Sequence, residues 1–218
     1  MTNESDCTTS ATDYQQHWDA AYAKNPAEKL GWYEPKSEEI LKLIQKTTLS
    51  HNAKILNVGI GSSTLIDDLL ATNFSNIIAN DLSSEALSSL KKRLGEASKK
   101  VEFIQDDLTN PTELHKLTSV DLWIDRAVLH FFLTVAEQQS YFNLLKKLVQ
   151  PNGFVIIAVF ALNGAEKCCG LQLQRYNKEM LQEKLGDDFQ LVDSFDHTFI
   201  NPYGGERPYV YTLFKRKQ

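Results

Sequence analysis

Apolar residues recur along this chain in two alternating rhythms. Short, mainly apolar runs occupy positions 55–58, 77–79, 101–104, 120–124 and 154–160. Such runs are the pattern of strands buried on both faces. Between them the spacing becomes helical: Leu65, Ile66, Leu69 and Leu70; Ala86, Leu87, Leu90 and Leu94; Phe142, Leu145, Leu148 and Val149; Met180, Leu181 and Leu185. Helix boundaries are also marked. Ser83 is placed to cap one helix, Thr134 with Glu137 forms a capping box, Asn177 or Tyr176 opens a third and Gly186 stops it. Pro151-Asn152-Gly153 predicts a turn. Two further runs, 189–195 and 208–215, enclose a segment with Pro202, Gly204 and Gly205 that is too short for a helix, so they should pair antiparallel. The alternation predicts an α/β, doubly wound, mostly parallel sheet with helices on both faces and an antiparallel C-terminal hairpin.

Ahead of the first strand the pattern differs. Ile40, Leu41, Leu43 and Ile44 predict a short amphipathic helix. Tyr14, Trp18 and Tyr22 follow one another at spacings of four and share one helix face. An irregular aromatic segment, Gly31-Trp32-Tyr33-Glu34-Pro35, comes next. Residues 1–13 form a polar tail, expected to be disordered. With no repeat, linker or second core, residues 14–218 are expected to be one domain, in which 14–50 precede the sheet.

Composition narrows the function. Of 218 residues 42% are hydrophobic and 23% charged, with a net charge of −5. A sequence pI of about 5.6 argues against extended contact with nucleic-acid phosphates. No run approaches the roughly 18 apolar residues of a membrane span, and the start lacks a basic-then-apolar signal pattern. The three cysteines, Cys7, Cys168 and Cys169, have neither disulfide-framework nor zinc-ligand spacing. A cytoplasmic protein without a metal, nucleic-acid or membrane partner is expected.

The candidate chemistry begins where the first strand meets its helix, at Asn57-Val58-Gly59-Ile60-Gly61-Ser62-Ser63. Glycines there allow a tight turn and close approach of backbone to a ligand. Asp81 ends the second strand, 22 residues beyond Gly59, where doubly wound folds place an acid on ribose hydroxyls. A dinucleotide favours G-x-G-x-x-G, but position 64 is Thr. S-adenosylmethionine has no phosphate to cradle and tolerates other residues there.

On these residues the chain, from about position 52 onward, resembles the class I S-adenosylmethionine-dependent methyltransferases. The resemblance implies a seven-stranded sheet, with Gly59 and Gly61 against the methionine part of the cofactor, Asp81 on its ribose and Leu82 beside its adenine. Gln105-Asp106-Asp107-Leu108 resembles the family's third motif, with Asp107 the better fit to the adenine amino group and Asp106 the alternative. Asn57 stands where the family commonly has an acid that organises the cofactor's amino group. The aromatic N-terminus is similar to a subset in which such a helix covers the cleft, among them elongation-factor lysine methyltransferases and many bacterial small-molecule enzymes. This makes 14–50 a lid, with Trp18 and Trp32 against the sulfonium, a cation that aromatic faces attract.

Asp125 and His130, just past the fourth strand, are the catalytic candidates. Asp125 would orient an acceptor or accept its proton, and Arg126 would pair with it or bind an acidic substrate. His130 is a base near neutrality or a structural hydrogen-bonding residue. Cys168-Cys169-Gly170, Arg175-Tyr176 and the loop 201–207 are further candidates for the acceptor border. The leading expectation is methyl transfer to an oxygen, nitrogen or sulfur of a small molecule. A protein lysine is the alternative, and a non-catalytic cofactor-binding protein a further one.

Overall fold

The structure, a computed structural model, describes residues 11–218, with side chains from Tyr14 onward. The expected tail lies mostly outside them, and positions 11–13 already belong to helix α1 (Ala11–Lys24). Helix α2 (Glu38–Gln45) follows. The sheet then builds as β1 (Lys54–Val58), α3 (Leu65–Ala71), β2 (Asn76–Asp81), α4 (Ser84–Leu94), β3 (Val101–Gln105) and β4 (Val120–Arg126). The second half continues as α5 (Val135–Leu148), β5 (Val149–Phe160), β6 (Lys167–Cys168), β7 (Leu171–Gln172), α6 (Lys178–Leu185), β8 (Phe189–Ile200) and β9 (Glu206–Arg216).

Seven strands form one sheet in the order β3-β2-β1-β4-β5-β9-β8. Pairing is parallel from β3 through β5, and β9 runs antiparallel to both β5 and β8. The order reverses beside β1, so the crevice outside the ends of β1 and β4 is the place where such sheets bind ligands. Side chains alternate between two cores. Ile55, Ile77, Leu122 and Ile156 pack with α2, α3 and α4 on one face, whereas Leu56, Ile78, Trp123 and Ile157 pack with α5 and α6 on the other. Both sets are nearly fully buried, which is why these strands read as continuous apolar runs.

The caps form as the sequence predicts. The Ser83 hydroxyl accepts from the Ala86 N–H, Thr134 and Glu137 complete their box, and the Asn177 side chain accepts from Met180. Three features differ. Strand β5 starts at Val149 instead of 154, because Val149 pairs with Val120 before a register shift that absorbs the Pro151–Gly153 turn. The C-terminal hairpin is longer than expected: Ile200 still pairs with Glu206, and the Asn201 carboxamide oxygen closes the loop by accepting from the Tyr203 and Gly205 N–H groups. Strands β6 and β7 are a miniature hairpin, turning at Cys169 and Gly170 with φ of 55° and 82°. Two-residue strands leave no periodicity to read.

Candidate active site

The carboxyl ends of β1, β2 and β4, the β6–β7 turn and the inner face of α1 enclose one cavity. Trp18, Trp32, Asn57, Gly59, Gly61, Asp81, Leu82, Asp107 and Leu108 all line it, as does His130. Asp125 does not.

The β1 turn needs its glycines. Gly59 and Gly61 have φ of 56° and 47°. A β-carbon on Gly59 would sit 2.1 Å from Val128 Cγ2, and one on Gly61 would sit 2.7 Å from the Tyr22 hydroxyl. Two unpaired polar atoms face this turn. The Asn57 amide donates to the carbonyls of Ile124 and Val58, leaving its buried Oδ1 without a partner. Trp32 Nε1, which would lie 3.6 Å from a Gly61 β-carbon, is a buried donor without a partner. An acceptor on one side and indole and phenol donors on the other suit the ammonium and carboxylate of an amino acid. Asn57 therefore fits the cofactor's methionine part despite replacing an acid.

At the end of β2 the Asp81 carboxylate accepts from the Gly61 N–H at 2.8 Å and the Ser83 N–H at 2.8 Å. Each oxygen keeps a lone pair for a ribose hydroxyl. Burial pushes its carboxyl up to about 6, against the pull of the backbone N–H groups of Ser83, Gly61 and Leu82. Only an ionised carboxylate could accept from both hydroxyls of a ribose placed here, so binding would compete with protonation. Affinity for S-adenosylhomocysteine should be flat above the carboxyl's pKa and fall below it, becoming on the order of tenfold weaker at about pH 5 than at about pH 7.5. Calorimetry across that range checks this, and an unchanged affinity would remove Asp81 from the contact.

The two acids after β3 divide their work. Both Asp106 oxygens are taken, accepting from the backbone N–H groups of Thr112 and Leu114 and from the Thr112 hydroxyl. Asp107 uses only Oδ1, on the Thr109 N–H and hydroxyl, so its Oδ2 is the acceptor left for an adenine amino group.

Asp125 is fully buried, and its oxygens accept from the Val128 N–H (2.9 Å), the Leu129 N–H (3.0 Å) and the Tyr141 hydroxyl (2.8 Å). Burial pushes this carboxyl up to about 6. Its geometry is that of a residue shaping the turn at Ala127 (φ 72°), which presses Val128 toward Gly59. Asp125→Asn keeps the size but sets an NH2 against these donors. We expect about 1–3 kcal/mol lost from unfolding free energy, with a smaller loss of cofactor affinity. A fully stable variant that still fails to transfer methyl would return Asp125 to the chemistry.

His130 is buried, and burial, reinforced by the nearby Arg126 charge, pushes its pKa down to about 3, so the ring is neutral. The Phe160 N–H donates to Nδ1 at 3.5 Å, which assigns the ring proton to Nε2, a buried atom without a partner. In this tautomer His130 offers the cavity a donor, not a base.

Arg126 does not pair with Asp125. Its guanidinium lies 5.1 Å from the Phe199 ring and 5.5 Å from the Tyr209 ring, with Nε 3.1 Å from Glu34 and Nη1 donating to the Trp32 carbonyl. It thereby fastens the Trp32–Glu34 segment to the end of β4. A second tie holds α1: the Ser83 hydroxyl donates to Asp19 at 2.5 Å. Sequence reasoning missed Asp19 and Glu34, whose partners lie 64 and 92 positions away and leave no local signal. Tyr22 is half-buried and packs beside both tryptophans. Cys168 and Cys169 also line the cavity. Arg175 instead bonds to Gly164 and Glu166, and Tyr203 reaches Lys29. Among the described residues no group of three or more His, Cys, Asp and Glu is placed to hold a metal ion.

The fold is that of the class I, Rossmann-like S-adenosylmethionine-dependent methyltransferases, and the cavity at the glycine turn suits their cofactor. Residues 56–157 match the methyltransferase domain family. The chain is 26% identical over 205 residues to EEF1A lysine methyltransferase 2 of Danio rerio, covering 88% of this chain and 81% of that one. It is 21% identical over 200 residues to the Homo sapiens protein of the same name, covering 84% and 77%. A S-adenosylmethionine-dependent methyltransferase from Anabaena variabilis shares the fold with a TM-score of 0.76 at 14% identity, covering 95% of both chains. The N-methyltransferase NodS from Bradyrhizobium japonicum, solved with S-adenosylhomocysteine, has a TM-score of 0.66 at 13% identity, covering 94% and 98%.

Proposed function

We propose that the acceptor is a lysine side chain of a protein, not the small molecule that was the leading expectation from sequence. The observation that carries this is the likeness to lysine methyltransferases along most of the chain. The cavity is compatible with it. Tyr22, Trp32, Phe131 and Tyr209 offer aromatic walls to a four-carbon stem. Methyl transfer needs the neutral amine, because the ammonium has no lone pair. Neutral His130, a carboxylate at 125 occupied by internal donors, and the buried Arg126 disfavour a positive charge entering there. Bound cofactor supplies an activated methyl group whose leaving group is a neutral thioether. The protein's part is to align the amine with that methyl and exclude water.

In this reading Trp18, Tyr22 and Trp32 form a lid tied down through Asp19 and Arg126. No helix among the described residues is long and apolar enough to cross a membrane, and we place the enzyme in the cytoplasm, with its protein acceptor.

Incubation with methyl-labelled cofactor and an extract of the source cells tests the acceptor. Label should enter acid-precipitable protein and be recovered as methyl-lysine after hydrolysis. Label confined to soluble metabolites would restore the small-molecule reading.

A further inference from the structure

We propose that Cys168 and Cys169 form a reversible oxidation site in the wall of the cofactor cavity, closed to a disulfide by hydroperoxides. The two Sγ atoms lie 3.5 Å apart, in contact already. Both thiols are free, half-buried and part of the cavity lining. The hairpin turn holds them there: β6 ends at Cys168, and Cys169 takes a left-handed conformation before Gly170. The methyl-transfer geometry described above uses neither thiol.

The pair is electrostatically unequal. The two thiols share a hydrogen bond in which either sulfur can donate; with Cys169 as donor and the Arg207 charge nearby, the Cys168 thiol is lowered and the Cys169 thiol raised. In that arrangement Cys168 is the first nucleophile, and with the donor reversed Cys169 takes the same part. The Cys168 thiolate attacks one oxygen of the hydroperoxide, forming a sulfenic acid as the O–O bond breaks and the other oxygen leaves as an alcohol or water. The Cys169 sulfur then attacks the sulfenic sulfur and hydroxide leaves, taking up a proton as water. In sum, two thiols and one hydroperoxide give one disulfide, one alcohol and one water, so the protein loses two hydrogens and the peroxide is reduced. Adjacent α-carbons are about 3.8 Å apart, below the roughly 4.4–6.8 Å usual for disulfides. Such a bond is strained and returns readily to thiols, which makes the site reversible.

Joining the sulfurs reshapes a wall that bound cofactor faces, so oxidation and cofactor binding should be coupled. The test uses full-length protein carrying Cys7→Ser, which removes the third thiol. Hydrogen peroxide should lower the mass of the peptide containing both cysteines by about 2 Da, block its alkylation and weaken S-adenosylhomocysteine binding at least about threefold, as linkage between the two events requires. Dithiothreitol should reverse all three effects. Adding Cys169→Ser should abolish the mass loss and leave a sulfenic acid on residue 168 that dimedone traps. Thiols that remain alkylatable after peroxide, or a disulfide that leaves cofactor affinity unchanged, would overturn the proposal.

Discussion

Asp81→Ala should weaken S-adenosylhomocysteine binding by about 2–4 kcal/mol, roughly 30- to 700-fold. The carboxylate accepts from the N–H groups of Gly61 and Ser83, and on the proposed placement of the cofactor the variant loses the charged acceptor for both ribose hydroxyls. It also strands the Gly61 N–H, so part of the effect is a looser glycine turn. Asp81→Asn separates the two contributions, because its one oxygen can still serve Gly61 or Ser83 while its amide cannot accept from a hydroxyl. Its affinity should fall between those of the wild type and the alanine variant. Calorimetry with both variants, alongside circular dichroism to confirm folding, is the check. Wild-type affinity in Asp81→Ala would mean that the residue only caps its turn.

Arg126→Ala should cost up to about 3–5 kcal/mol of unfolding free energy, because it leaves the largely buried Glu34 carboxylate uncompensated. Burial already raises the Glu34 carboxyl, and the Arg126 charge beside it pulls it down. Without that charge the folded-state pKa rises further above the unfolded value. The folded variant then binds more protons than the unfolded chain, so its stability should recover as pH falls through the raised pKa and decline as pH rises. The loss includes the cation–π contacts with Phe199 and Tyr209, which Glu34→Gln alone retains. Arg126→Met combined with Glu34→Gln should regain much of the loss, since no buried charge is then left alone. Denaturant unfolding at several pH values measures each quantity. Arg126→Ala with wild-type stability at neutral pH would mean that the pair does not fasten the lid.

What the sequence disclosed follows from how far apart the interacting residues lie. Strand β1, its glycine turn and Asp81 form a contiguous unit, and each link in it has local chemistry: apolar runs, left-handed glycines, an acid at a strand end. The aromatic stripe of α1 was equally visible, and the fold turns Tyr14, Trp18 and Tyr22 into the cavity. The burial of Asp125 was not visible. An acid at the end of β4 looks the same in sequence whether it faces an acceptor or three internal donors, and burial decides. The Asp19–Ser83 and Glu34–Arg126 ties join segments remote in the chain, where no periodicity predicts a partner. The β6–β7 hairpin has strands too short to register, although a glycine following Cys169 is the turn residue that a left-handed backbone prefers.

A crystal structure with S-adenosylhomocysteine tests most directly whether this cavity is the cofactor site. The ribose hydroxyls should lie within hydrogen-bond distance of Asp81, the ammonium against Asn57 Oδ1, the adenine amino group at Asp107, and Trp18, Tyr22 and Trp32 over the bound molecule. A cavity without ligand at saturating concentration, or a ligand bound elsewhere on the sheet, would contradict it.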